Sequence, residues 1–198
     1  MLWGTVSSGV PGIQLLLVST AGIAMSPEGS VKALRGVVWD WGDTLMRDIP
    51  GQVGPMVEWP RVEPMPGALL ALRRLSVLPV QCVATNAVDS DGVEVAAALD
   101  RVGLRTYLTH FFTSSELGFS KPDPEFFREA ARGLGLPPTA LLAVGNDYMK
   151  DILPAKAAGM MTVLVSPDEE PAARQAADFR VPTLTHLAHL VDEWDVAL

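Results

Sequence analysis

The chain is poor in three things, and each scarcity narrows its class. It has a single cysteine, Cys82, so no intramolecular disulfide can form. Set in an apolar run, Cys82 reads as a small buried residue rather than a nucleophile, and a reducing, cytoplasmic setting is expected. Positive charge is also scarce: 15 Lys and Arg against 23 Asp and Glu leave a net charge of -8, which argues against DNA or RNA as a bulk partner. Finally, no charged residue precedes Glu28. The apolar stretch that includes Leu2, Trp3 and residues 13–18 therefore lacks the basic segment of a secretory signal, and Pro11 and Gly12 break what would be too short a membrane span. No membrane partner is expected. Met25 opens a polar Ser-Pro-Glu-Gly-Ser stretch, so residues 1–24 read as an extension or an upstream start. We place residues 1–30 outside the fold and the domain at 31–198.

What the chain does have is apolar surface to bury. Hydrophobic residues make up 48% of its 198 positions, enough for one well-packed domain and a squeeze for two. From Gly36 onward, short β-branched runs alternate with helical spacing, the pattern of a parallel sheet wrapped by helices. Strands are predicted at 36–40, 80–84, 111–113, 140–144 and 161–165. Helices are predicted at 68–75, at 93–102 with Gly103 as stop, from Pro124 to near 133–135, at 152–158 stopped by Gly159, and at 185–194. The Gly- and Pro-rich stretch 46–66 is a loop. No repeat or low-complexity tract interrupts this order.

In open parallel sheets, chemistry gathers beyond the carboxyl ends of the strands. Those ends here carry Asp40, Thr85 with Asn86, and Asn146 with Asp147. Asp40 closes Val-Val-Trp-Asp-Trp-Gly-Asp-Thr-Leu, an apolar strand with no structural need for a charge, although a loop cap would explain it too. Thr85 and Asn86 offer a hydroxyl, an amide and turn N–H groups, an anion cradle or an ordinary turn. Lys121 sits in Gly-Phe-Ser-Lys-Pro-Asp-Pro-Glu-Phe-Phe, its backbone restricted, against the bland alternative of a solvated lysine. Asp147 and Asp151 lie four apart at a helix entrance, placed for a hard cation or simply for the helix N-terminus. His110, His186 and His189 fall at no strand tip.

In this order, the four signals resemble the motifs of the haloacid dehalogenase superfamily. These are a strand-end aspartate in an Asp-x-Asp-x-Thr pattern, a Thr or Ser, a lysine before a helix, and an acidic pair after Val-Gly. The phrases Ser-Lys-Pro-Asp-Pro-Glu-Phe-Phe and Asp-Ile-Leu-Pro-Ala-Lys-Ala-Ala-Gly-Met look like the phosphoglycolate-phosphatase-like branch. The resemblance implies a three-layer, Rossmann-like α/β fold with a short flap at 46–66 in place of a cap domain. It implies Asp40 as nucleophile of a Mg²⁺-dependent phosphatase passing through an aspartyl-phosphate. Asp40, Asp147, Asn146 and the Gly42 carbonyl would hold the metal, and Thr85, Asn86 and Lys121 the phosphate. Asp151 would brace the lysine or the metal shell. The substrate would be a phosphorylated small molecule or a phosphoprotein, with an open site that leaves room for closure by a second copy of the chain.

One departure matters. The residue two past the nucleophile, an aspartate acting as acid and base in the family's phosphatases, is Gly42. Such a group accounts for about 10²–10⁴-fold in rate. Asp43 could replace it only if the turn rotates its side chain inward, since simple register points it elsewhere. A phospholigand-binding protein with little turnover is therefore the rival expectation. In the flap, Met56, Val57 and Trp59 are candidate lid contacts, with loop anchoring as the alternative.

Overall fold

The structure, a computed structural model, describes residues 34–167 and 176–192; the extension expected at 1–30 lies outside them. In chain order the strands are β1 (Gly36–Trp39), β2 (Val80–Thr85), β3 (His110–Thr113), β4 (Leu141–Gly145), β5 (Met161–Val165) and β6 (Phe179–Val181). The α-helices are α1 (Ala68–Leu75), α2 (Gly92–Asp100), α3 (Ser114–Leu117), α4 (Pro124–Gly133), α5 (Leu153–Ala158) and α6 (Leu184–Asp192). The strands form one sheet in the order β3-β2-β1-β4-β5-β6, with every adjacent pair parallel. The chain runs outward from β1 to β3, then returns to start again at β4 on the other side. That reversal opens a crevice at the tips of β1, β2 and β4.

Strand alternation builds the layers. Val37, Trp39, Val83, Leu142 and Val144 pack on one face with the apolar sides of α1, α2 and α6. Val38, Cys82, Ala84, Leu141 and Ala143 pack on the other with Phe126, Phe127, Ala130 and Ala131 of α4 and Ala155 of α5. Each fully buried Val, Leu or Phe side chain among these contributes about 1.5–3 kcal/mol, so Phe126 and Phe127 hold α4 firmly on the sheet. Burial also pushes the Cys82 thiol pKa upward, in keeping with a packing residue.

The helix ends follow their chemistry. Asp91 and Glu94 form a reciprocal capping box at α2, Asp123 caps α4 with Pro124 in the first turn, and Gly159 ends α5 in the left-handed region at φ 97°. The one-turn helix α3 was not expected. Its signal, Thr113 and Glu116 in capping-box spacing, is present in the sequence and satisfied in the structure.

Candidate active site

Asp40 stands one residue past β1 and continues the ladder, its N–H donating to the Val144 carbonyl at 2.9 Å. The chain then turns sharply. Leu45 and Met46 N–H groups both reach the Trp41 carbonyl at 2.9 Å, while Trp41 and Leu45 sink into the core. Asp43 takes the left-handed conformation, φ 52°, which Asp tolerates better than most residues. The turn swings Thr44 back over Asp40: its Oγ1 donates to Asp40 Oδ2 at 2.7 Å and lies 3.2 Å from Asn146 Oδ1.

Lys121 comes from the loop before α4 and is buried. Its Nζ donates to Asp40 Oδ1 and to Asp151 Oδ1, each at 2.7 Å, above the rings of Phe126 and Phe127. Burial alone would favour the neutral amine, but the two carboxylates outweigh it and the ammonium holds its proton more tightly than a lysine in water. Its backbone is clamped as well. Asn86 Nδ2 donates to the Lys121 carbonyl and Asn86 Oδ1 accepts the Lys121 N–H, both at 2.9 Å; the Lys121–Pro122 peptide is cis. This narrows the part expected of Asn86. Most of its amide is committed to the lysine, leaving one amide hydrogen and its own N–H for an anion.

The β4 tip supplies the remaining groups. Asp151 is buried beneath the strand end, taking the Asp147 N–H on Oδ2 at 3.0 Å. Desolvation, with Asp40 close by, raises its carboxyl pKa, while Lys121 opposes the rise. Only a glycine at 145 allows this arrangement, because a Cβ there would sit 2.4–2.5 Å from the Asp151 side chain. Asp147 opens a π-helical turn, Tyr148–Ile152, and accepts the N–H groups of Met149 and Lys150 on Oδ1 at 2.9 and 3.0 Å. Its other oxygen lies 3.7 Å from Lys150 Nζ. Thr85 accepts the Ala87 N–H on Oγ1 at 3.2 Å, which leaves the hydroxyl hydrogen to donate.

Asp40, Gly42, Thr85, Asn86, Lys121, Asn146, Asp147 and Asp151 line one open cleft of about 460 Å³, together with Asp43, Asp48, Lys150 and the flap residues Gly54, Met56 and Trp59. The expected sharing of one cleft by the tips of β1, β2 and β4 is thus realised. The flap is both anchored and part of the wall. Met56 is buried, Trp59 Nε1 donates to the Gly54 carbonyl at 3.0 Å, and Arg101 after α2 donates to the carbonyls of Val57 and Trp59 at 2.8 and 2.7 Å. The flap base is closed by Arg47 N–H to the Glu63 carbonyl and Met65 N–H to the Leu45 carbonyl, each 2.9 Å.

Asp43, the candidate replacement acid if its turn rotates it inward, is exposed and accepts the Asp48 N–H on Oδ1 at 3.0 Å. Asp48 had no expected role. Its carboxylate lies against Gly42, so close that a Cβ at position 42 would be 2.8 Å from Oδ2. Partial burial, then the charges of Asp43 and Asp40, lift its carboxyl pKa above the ordinary range. None of the histidines enters the cleft lining.

For a cation, the strand tips of the cleft offer oxygen: the carboxylates of Asp40 and Asp147, the Asn146 amide oxygen and the backbone at Gly42. Among the described residues, no three His, Cys, Asp or Glu side chains gather into a metal cage. Two carboxylates with neutral oxygens suit a hard divalent ion that keeps part of its water, and do not suit the nitrogen- and sulfur-seeking metals. Among the described residues no helix is long and apolar enough to cross a membrane.

Comparison with known proteins places the fold and the family. Residues 52–159 match the family model described as haloacid dehalogenase-like hydrolase. A glyceraldehyde 3-phosphate phosphatase from Methanothermobacter thermautotrophicus is 28% identical over 78% of this chain and 75% of its own length. A ribulose-1,5-bisphosphate 5-phosphatase from Halopiger xanaduensis is 31% identical over 65% of this chain and 62% of its own length. Among solved structures, an uncharacterized protein from Listeria monocytogenes serotype 4b superposes with a TM-score of 0.68 at 24% identity, covering 81% of this chain and 100% of that one.

Proposed function

The chain belongs to the haloacid dehalogenase-like hydrolase family, and from that premise we propose that it hydrolyses phosphoric monoesters with Mg²⁺, carrying the phosphoryl group on Asp40. The observation that carries this reading is the buried Asp40–Lys121–Asp151 chain, two contacts of 2.7 Å at the tip of a central strand, opening on a cleft. Asp40 keeps part of its carboxylate open to that cleft, its side chain 14% exposed, while Lys121 and Asp151 are buried behind it.

Asp40, Asp147, Asn146 and the Gly42 carbonyl would hold Mg²⁺, which when bound neutralises charge on the phosphoryl oxygens. The chain's own residues do the rest. The turn at 41–46 and Thr44 fix the Asp40 carboxylate for attack on phosphorus in line with the departing oxygen. Lys121 spends two of its three N–H donors on Asp40 and Asp151 and keeps a third for the phosphate. Thr85 and the N–H of Asn86 would take other phosphate oxygens. The names of the relatives make phosphates of short sugars the first substrates to try, with a phosphopeptide as the contrasting arm.

Gly42 keeps a second reading open, a phospholigand-binding protein with little turnover, because position 42 supplies no proton donor. One experiment separates the two: inorganic phosphate release from a panel of triose, pentulose and other phosphate esters, with Mg²⁺ and with a chelator. The phosphatase reading expects Mg²⁺-dependent release that Asp40→Asn abolishes. Tight binding of inorganic phosphate with no release above the Asp40→Asn background would favour the binding protein.

A further inference from the structure

We propose that Asp48 is the general acid and base of this site, supplied from the flap base in place of a side chain at position 42. The inference rests on the phosphatase reading of Asp40. Ester cleavage at Asp40 requires a proton for the departing alkoxide and later a base for water, and the cleft carboxylates can be taken in turn. Asp40 is the nucleophile. Asp147 caps the π-helical turn. Asp151 is buried on Lys121 and on the Asp147 N–H. Asp43 and Asp48 are both exposed, but Asp43 stands in a left-handed turn and spends Oδ1 on the Asp48 N–H. Asp89 lies at the exposed rim beyond the β2 tip.

Asp48 remains, and its position is specific. Its Oδ2, Cγ and Oδ1 lie 2.8, 3.2 and 3.3 Å from where a Cβ on Gly42 would be. The carboxylate therefore fills the first space a side chain two residues beyond Asp40 would use. It is held there by the Asp43 contact on its own N–H and by the flap base, where the Met46–Pro64 bridge and the Arg47–Glu63 backbone contact close the loop immediately before it. Glycine at 42 and aspartate at 48 are complementary: a side chain at 42 would displace the Asp48 carboxylate from its present place.

The chemistry balances. Asp40 forms a bond to phosphorus as the ester P–O bond breaks, and the protonated Asp48 carboxyl gives its proton to the departing oxygen, releasing the alcohol. The Asp48 carboxylate then takes a proton from the water that attacks the aspartyl-phosphate. The bond between Asp40 and phosphorus breaks, and inorganic phosphate leaves with both aspartates restored.

The test measures steady-state and burst kinetics on the best alkyl phosphate of the panel and on para-nitrophenyl phosphate, whose leaving group departs without a proton. Asp48→Asn should lower kcat on the alkyl ester by about 10²–10⁴-fold. On the nitrophenyl ester it should leave a burst of one nitrophenolate per enzyme, followed by slow turnover as the aspartyl-phosphate waits for an activated water. The double variant Gly42→Asp with Asp48→Ala should recover part of the alkyl activity. Unchanged alkyl turnover in Asp48→Asn, beside an inactive Asp40→Asn, overturns the role of Asp48 and leaves the phosphatase reading standing. Equal losses on both esters with no burst, or a leaving-group-dependent loss in Asp43→Asn instead, also overturn it. Wild type no faster than Asp40→Asn on either ester overturns the phosphatase reading itself, and this inference with it.

Discussion

The floor of the cleft and its flap are built in opposite ways. In the floor, Lys121 and Asp151 are buried, with side chains 3% and 5% exposed, and each is tied to a neighbour that is itself fixed: Asn86 on the Lys121 backbone, Gly145 beneath Asp151. The flap is held by one exposed arginine, one indole N–H, a short two-strand base and the buried side chain of Met56, with Val57 and Trp59 only half-buried beside it. Charges that must stabilise a transition state gain most when they are placed beforehand in a water-poor setting. A wall that admits substrate gains from being easily displaced. Under the proposed function the difference gives chemistry to the floor and access to the flap, with Asp48 next to the flap base.

The harshest way to break the comparison is to remove the charge at the centre of the floor. Lys121→Met leaves Asp151 buried without its cation, and the loss of one partner of a buried pair costs about 3–5 kcal/mol. We expect a large fall in melting temperature by calorimetry together with loss of phosphate release. A variant that melts like wild type would show that the floor is no more tightly built than the flap.

A smaller effect is expected from Gly145→Ala, which touches no charge. The added methyl would meet the Asp151 side chain at 2.4–2.5 Å, and overpacking of this kind costs about 1–3 kcal/mol. Displacing Asp151 also releases the brace on Lys121, so turnover should fall by about 10-fold or more, the scale found for groups that orient functional ones. Denaturant unfolding and initial rates check the two halves separately.

The same contrast decides what could be read in the sequence. The floor was legible because its residues end strands or open helices. Apolar runs closing at Asp40, Thr85 and Asn146 announce both the sheet and its tips, and Asp123 with Pro124 announces α4. Two features escaped because they depend on distant segments meeting. The Asn86 clamp joins the β2 tip to a loop 35 positions away, and nothing local in Thr-Asn requires it. Asp48 lies in Met-Arg-Asp-Ile-Pro, a stretch with no periodicity, and its approach to Gly42 exists only because residues 63–65 return to pair with 45–47. The usable hint was the glycine itself: a site short of one carboxylate directs attention to the next acidic residues in the same loop, Asp43 and Asp48. Of the flap residues, Met56 is buried and Trp59 is anchored, so the lid and anchoring readings describe the same side chains.

The mildest change, and the one that sharpens the comparison most, is Arg101→Ala. Its guanidinium reaches the carbonyls of Val57 and Trp59, and that of Pro60 at 3.5 Å, from an exposed position after α2. Solvated contacts of this sort contribute little to global stability, less than about 1 kcal/mol, so the melting temperature should barely move. What should change is the local opening of the flap. Amide exchange at residues 54–60 should quicken, since a segment that loses its tie to the end of α2 opens more readily apart from the core. If the flap governs access while the floor governs chemistry, KM rises and kcat stays near wild type. A fall in kcat at unchanged KM would mean that the flap sets the chemistry as well, through Asp48 at its base, and that the two regions act as one unit.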